Sequence, residues 1–338
     1  NINTTGALNV TGALRIGNDG GSVGIMNLES GTVVVSNINT FAGGENNIGH
    51  DGGVATLNIS GGSLSVAEVL RFGNGSGGNG TLNMTGGAIN KTGNGQFLVG
   101  HNNGTGTVVQ SAGTIIANNE LYIGNENAGA SGTYTLSGTG ALTVSNEVVV
   151  GRESGTGVLN VNGGTLTTEG NGNMYIGRRN GTGTLNQTDG VVNVNREFGV
   201  GTRDDNKIGT GTYNLSGGSL SAANNIFIGK ELGASGTMDM TGGTMSTSDK
   251  LQIGHNQATG VLNQSGGTVN VQNEVYIGNE NNASSVGTYT LSGTGVLNVG
   301  NEVIVGRDNG TGTFNLDGGT VNATKISGGT GSATVNFN

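Results

Sequence analysis

The sequence predicts an all-β fold, a single-stranded right-handed parallel β-helix of about 13 coils with three strands per coil. Three observations carry this: a block of about 26 residues that recurs along the chain, strict apolar alternation inside each block, and glycine pairs at a fixed place between the alternating runs. Self-similarity at a fixed period of roughly 20–50 residues marks stacked repeats, each of which buries its apolar face only against its neighbours. The first inward position falls at Ile2, Met26, Leu57, Leu82, Val108, Tyr134, Leu159, Leu185, Tyr213, Met238, Leu262, Tyr289 and Phe314, spaced 24 to 31 residues apart and averaging 26.

The elements follow in order within a block. The first strand reads TLNIS at 56–60 and VLNQS at 261–265. Alternation at period 2 means a strand with one buried face. A glycine pair then marks a corner, because glycine adopts positive φ without a Cβ clash. The second strand reads SLSV at 63–66 and TVNV at 268–271, and the third reads ELYIG at 120–124 and EVVVG at 147–151. No segment has a 3.6-residue period with caps, so no helix is expected. Stacked coils pair each strand in parallel with its counterpart about 4.8 Å away, which predicts a rod roughly 60 Å long. Right-handed winding is the default for parallel crossovers. The organisation expected is one repeat domain over 1–338, with irregular first coils over 1–55 and regular coils over 56–338.

Inward columns can be written from the alternation: Leu57, Leu82, Val108 and Leu159 in the first strand, Leu64, Ile89, Ile115 and Leu166 in the second, Ile123, Val150, Ile176 and Ile253 in the third. A longer period lies on top. Gln110, Gln187 and Gln264 are 77 residues apart and occupy an inward slot that is elsewhere apolar. Tyr134, Tyr213 and Tyr289 follow one coil later in the neighbouring inward slot. An unpaired buried amide costs about 1–3 kcal/mol, so each glutamine is expected to bond within the core, its tyrosine hydroxyl being the nearest partner.

Composition narrows function. The chain has 71 Gly, no Pro, Cys or Trp, and a formal net charge of −9. Disulfides and thiolate metal sites are excluded, and no clustered Lys or Arg is available to neutralise phosphate, which argues against nucleic acid as a partner. No apolar run is long enough to span a membrane as a helix. The chain begins inside the repeat pattern without an initiator Met or a signal peptide, which predicts a processed or excerpted segment.

Two outward faces are candidate interaction surfaces. Thr81, Thr107, Thr133, Thr184, Thr212, Thr237 and Thr288 form a polar array beside an asparagine column, with Val158 and Val261 as interruptions. Threonine suits strands and stacked asparagines bond along a ladder; the same array would also order water or sugar, and resembles the threonine faces of β-helical ice-binding proteins. Tyr122, Val149, Tyr175, Phe227, Tyr276 and Ile304 form an apolar, aromatic column on the outward side of the third strand, expected to be exposed as an interaction face. Glutamates precede the third strand and Arg152, Arg178, Lys230 and Arg307 follow it, as solvated ladders worth little per pair.

Chemistry-bearing residues are few. His50, His101 and His255 lie in separate loops and read as lone surface side chains. Asp204, Asp205 and Asn206, within one loop, are the weak candidates for Ca²⁺, which needs six or more oxygens. No catalytic constellation and no cofactor is implied.

The blocks GTGTLNxSGGTVNV and NEVxIGxxxGTG, taken over nearly all of 1–338, resemble the repeats of autotransporter passengers and related giant bacterial surface proteins. That resemblance implies an exported, cell-surface or extracellular β-helix serving adhesion, aggregation or coat formation. The expected function is therefore non-enzymatic and structural, as the rod of a surface adhesin or the subunit of a head-to-tail filament. The alternative is a carbohydrate- or ice-binding solenoid. Expected partners are further copies of the chain, end to end or laterally, and carbohydrate.

Overall fold

The computed structural model describes residues 6–36, 45–280 and 285–338. The inward position Ile2 lies outside them. The chain is a parallel β-solenoid without a helix among these residues, divided into two compact units, Asn1–Gly172 and Asn173–Asn338.

In the first unit, inward residues stack coil on coil in exact register. Leu57 sits opposite Leu82, Leu82 opposite Val108, Val108 opposite Tyr134, and Tyr134 opposite Leu159. The second unit continues the same rule within itself, with Leu185, Tyr213, Met238, Leu262, Tyr289 and Phe314 paired in sequence. All of these side chains are fully buried, whereas Met26 near the start is half-buried. Complete burial of one such side chain is worth about 1.5–3 kcal/mol, and like stacks on like, so one coil's core serves for the next.

Each coil contributes to two sheets rather than three. First and second strands share one sheet, and in Asn79–Lys91, Thr105–Ala117 and Thr182–Val194 they form a single 13-residue strand that runs through the glycine corner. The corner glycine keeps a positive φ (+72° at Gly87, +77° at Gly113), so it acts as a bulge that bends the strand without ending its pairing. Third strands form the other sheet: Phe97–His101, Leu121–Asn125 and Val148–Arg152 pair in turn in the first unit, and Ile226–Lys230, Leu251–His255 and Val275–Asn279 in the second.

The invariant-looking glycine after each third strand has a packing reason. Gly100 has φ +70°, and a Cβ there would collide with the carbonyl oxygen of Ser131, at the start of the first strand Ser131–Leu136. Gly106, in the GTG segment, would collide with the backbone nitrogen of Gly100. The two sheets thus meet backbone to backbone at this corner. The chain turns out of the third strand on paired left-handed residues, such as Glu153 (φ 49°) and Ser154 (φ 71°), the geometry of a type I′ turn.

Candidate functional site

The inward polar slots form a closed network. Tyr134 Oη donates to Gln110 Oε1 at 2.5 Å and Tyr213 Oη to Gln187 Oε1 at 2.7 Å, and Tyr289 bonds Gln264 in the same way. Each glutamine Nε2 donates to two carbonyls across the glycine corner: for Gln110 those of Gly113 and Ala141, both at 3.0 Å, and for Gln187 those of Gly190 and Ser219. Burial alone pushes the phenols of Tyr134, Tyr213 and Tyr289 well above their ordinary range. With donors and acceptors all matched in a sealed core, the network holds the corner and offers nothing to a ligand.

The threonine array is in register within each unit: Thr81, Thr107 and Thr133 in the first, Thr184, Thr212 and Thr237 in the second, with Thr288 after Val261. All are half-buried. The amides beside them bond along the axis, as Asn83 Nδ2 to Asn58 Oδ1 at 2.9 Å and Asn214 Nδ2 to Asn186 Oδ1 at 2.8 Å. Each such bond ties the amide of one coil to that of its register neighbour along the axis.

The aromatic column differs from the sequence expectation. Tyr122, Tyr175, Phe227 and Tyr276 lie on the outer side of the third-strand sheet but are only 4–7 % exposed, Val149 is fully buried, and Ile304 is half-buried. A cation from the end of a third strand, or for Tyr276 from just after one, lies over each ring. Arg152 covers Tyr122, Arg178 covers Tyr175, Lys230 covers Phe227 and Arg307 covers Tyr276, at 4.3–4.5 Å from the ring centroids. The charged head itself lies over the ring face and covers it, so these rings form a second layer beneath a cation cover rather than an exposed interaction face. The glutamates tie the heads down, as Lys230 to Glu197 at 2.8 Å.

The histidines also depart from expectation, and in a regular way. His50, His101 and His255 occupy the same position at the end of a third strand, and the coil after each carries an asparagine there: Asn74, Asn125 and Asn279. The ring Nδ1 lies 3.0, 3.2 and 3.2 Å from the respective amide nitrogen. Nε2 faces a carboxylate, Asp51 at 3.2 Å, Glu126 at 3.6 Å and Glu280 at 3.9 Å. Burial is the main cause that lowers the imidazole pKa of His101 and His255. The recurring GH of one coil followed by GN in the next was the sequence signal for this pairing.

The calcium candidates sit in an antiparallel hairpin that pairs Arg203 with Ile208 and Asp204 with Lys207. Asp204 meets Arg178 at 2.9 Å and Arg179 at 2.7 Å, Asp205 pairs with Arg179, and Asn206 accepts from Arg203. Guanidinium groups hold the oxygens that a cation would need, so the Asp204, Asp205 and Asn206 expectation is corrected: this is an ion-pair cluster. Among the described residues no group of three or more His, Cys, Asp or Glu is placed to hold a metal ion, and no helix is long and apolar enough to cross a membrane.

No family model matches the chain, and no curated protein does. Among solved structures, the chain is similar to the crystal structure of the TibC-catalyzed hyper-glycosylated TibA55-350 fragment, with 14% identity over 98% of this chain and 99% of that one, and a TM-score of 0.41.

Proposed function

We propose that this chain is a non-enzymatic extracellular shaft: a repetitive length of a bacterial surface or matrix protein that spaces other parts apart and is continued coil by coil. The observation that carries this reading is the self-continuing register. Each coil presents to the next the same apolar columns in the same register, so length is gained without a new core. The strand Ser332–Phe337 pairs on one side with Thr311–Leu316, and its other edge accepts one more coil in phase, from whichever chain supplies it. A contact of that head-to-tail kind between copies is heterologous and grows open filaments.

Negative-stain microscopy of the purified chain across a concentration series tests this. Uniform fibres that lengthen with concentration support end-to-end growth. Discrete particles of one length at every concentration remove the filament form and leave the shaft of a longer chain. A hydrolytic or lytic activity on polysaccharide that survives purification would overturn the non-enzymatic reading.

A further inference from the structure

The outer side of the third-strand sheet in the first unit holds a pocket of about 400 Å³ that the cation cover leaves open. Leu98 and Tyr122, adjacent in register, form its floor. Arg71 closes one end, one coil before Leu98, and Arg152 closes the other, its guanidinium over the Tyr122 ring. Gln96 and Glu120 form one side; His101, Asn125 and Glu126 form the other.

The charges of this wall are internally matched. Two guanidiniums stand against two carboxylates in the lining. Arg71 is paired with Glu45 and Arg152 with Glu153 at 3.6 Å, while Glu126 faces His101. Gln96 Nε2 donates to Glu120 at 3.2 Å and Arg152 Nη1 to Asn125 Oδ1 at 3.1 Å. Such a wall has no surplus charge with which to hold an ion. It offers planar, two-pronged groups in alternation: guanidinium and amide donors, carboxylate and amide acceptors. A hydroxyl is both donor and acceptor, and two neighbouring hydroxyls match one planar group. The volume is at the small end of ligand sites.

We infer that this pocket binds a single neutral sugar unit, through its hydroxyls, against its guanidinium, amide and carboxylate wall. The inference refines the carbohydrate alternative and does not depend on the shaft reading.

The chain contains its own control. His101, Glu120, Tyr122, Asn125 and Glu126 recur 154 residues later as His255, Glu274, Tyr276, Asn279 and Glu280, and Arg152 recurs 155 residues later as Arg307. In that second copy the residue at the register of Arg71 is Phe227, whose ring lies 5.1 Å from His255. The residue at that of Leu98 is Gln252, which accepts from Asn279 Nδ2 at 2.7 Å. An aromatic ring and an internal amide bond replace the features that shape the pocket in the first copy. Arg71→Phe with Leu98→Gln therefore rewrites the pocket as a sequence already accommodated by the same fold.

The test is saturation-transfer NMR on the whole chain with methyl glycosides of glucose, galactose, mannose and N-acetylglucosamine, beside sodium acetate and sulfate. The expected result is a signal from at least one glycoside with a Kd on the order of 1 mM, as one-ring contacts allow, weakened at least tenfold by the double substitution. Circular dichroism checks the fold of that variant, and Gln96→Ala, which removes a half-buried wall group only, replaces it if it does not fold. Absence of a signal from every glycoside overturns the inference. So does an undiminished signal in the variants, or a response to acetate or sulfate alone. None of these outcomes bears on fibre formation, which microscopy reads separately.

Discussion

Lys91 shows how much one side chain can depart from its column. It occupies an inward slot of the second strand, which its register neighbours fill with Val66 and Ala117, and it is fully buried. Its Nζ donates to the carbonyls of Gly93, at 3.0 Å, and Gly95. Burial lowers its pKa from 10.5 to about 8. The folded-state pKa is thus below the unfolded one. Below about pH 8 both states are charged and the burial penalty is present in full. As pH rises from about 8 toward 10.5 the folded state releases its proton first, and stability increases, by about 3 kcal/mol at most. The stability of the wild type from denaturant melts is expected to rise over that window and that of Lys91→Met to lack the rise, so that the difference between them changes with pH; parallel curves would refute the assignment. The Gln–Tyr pairs make a second residue-scale prediction. Tyr213→Phe leaves Gln187 Oε1 without its donor, at a cost of about 1–3 kcal/mol, and Gln187→Leu in the same chain is expected to recover part of that loss in a double-mutant cycle.

At the scale of the element, the third-strand sheet is buried on both faces, although one face looks outward. Its inner residues could be read from alternation, because Ile123, Val150 and Ile253 repeat at a fixed phase. Its outer cover could not be read that way. The cation over Tyr122 is Arg152, one coil further on, while that over Tyr175 is Arg178 of the same strand. Nothing in a period of two says where a long, flexible stem will fold. Arg307→Ala is expected to uncover Tyr276 at a stability cost of about 0.5–2 kcal/mol. Nitration followed by mass spectrometry would then show Tyr276 reacting several-fold faster and Tyr134 unchanged; an unchanged rate at Tyr276 would mean that something else seals the ring.

For the whole molecule, the 77-residue spacing of Gln110, Gln187 and Gln264 implies that three coils are an interchangeable unit. Deleting residues 183–259 joins Thr182 to Gly260 in phase and keeps one glutamine–tyrosine pair, Gln264 with Tyr289, at the junction. The shortened chain is expected to retain its far-ultraviolet β signal and to lose roughly a quarter of its denaturant m-value, as surface exposed on unfolding scales with chain length. Aggregation, or loss of the β signal, would show that the repeat is not modular.

The amino-acid order alone determined the stacking: the period, the inward columns, the glycine corners and the glutamine–tyrosine phase are all local alternation repeated, and identical coils can meet only in register. The two-sheet cross-section, the arginines over the aromatic column, the histidine–asparagine pairs, the buried Lys91 and the polar pocket by Leu98 were decided only by tertiary structure. Each depends on where a side chain of one coil reaches over another, and that reach is set by rotamers and by neighbours about 24 to 31 residues away, which a pattern of alternate residues does not record.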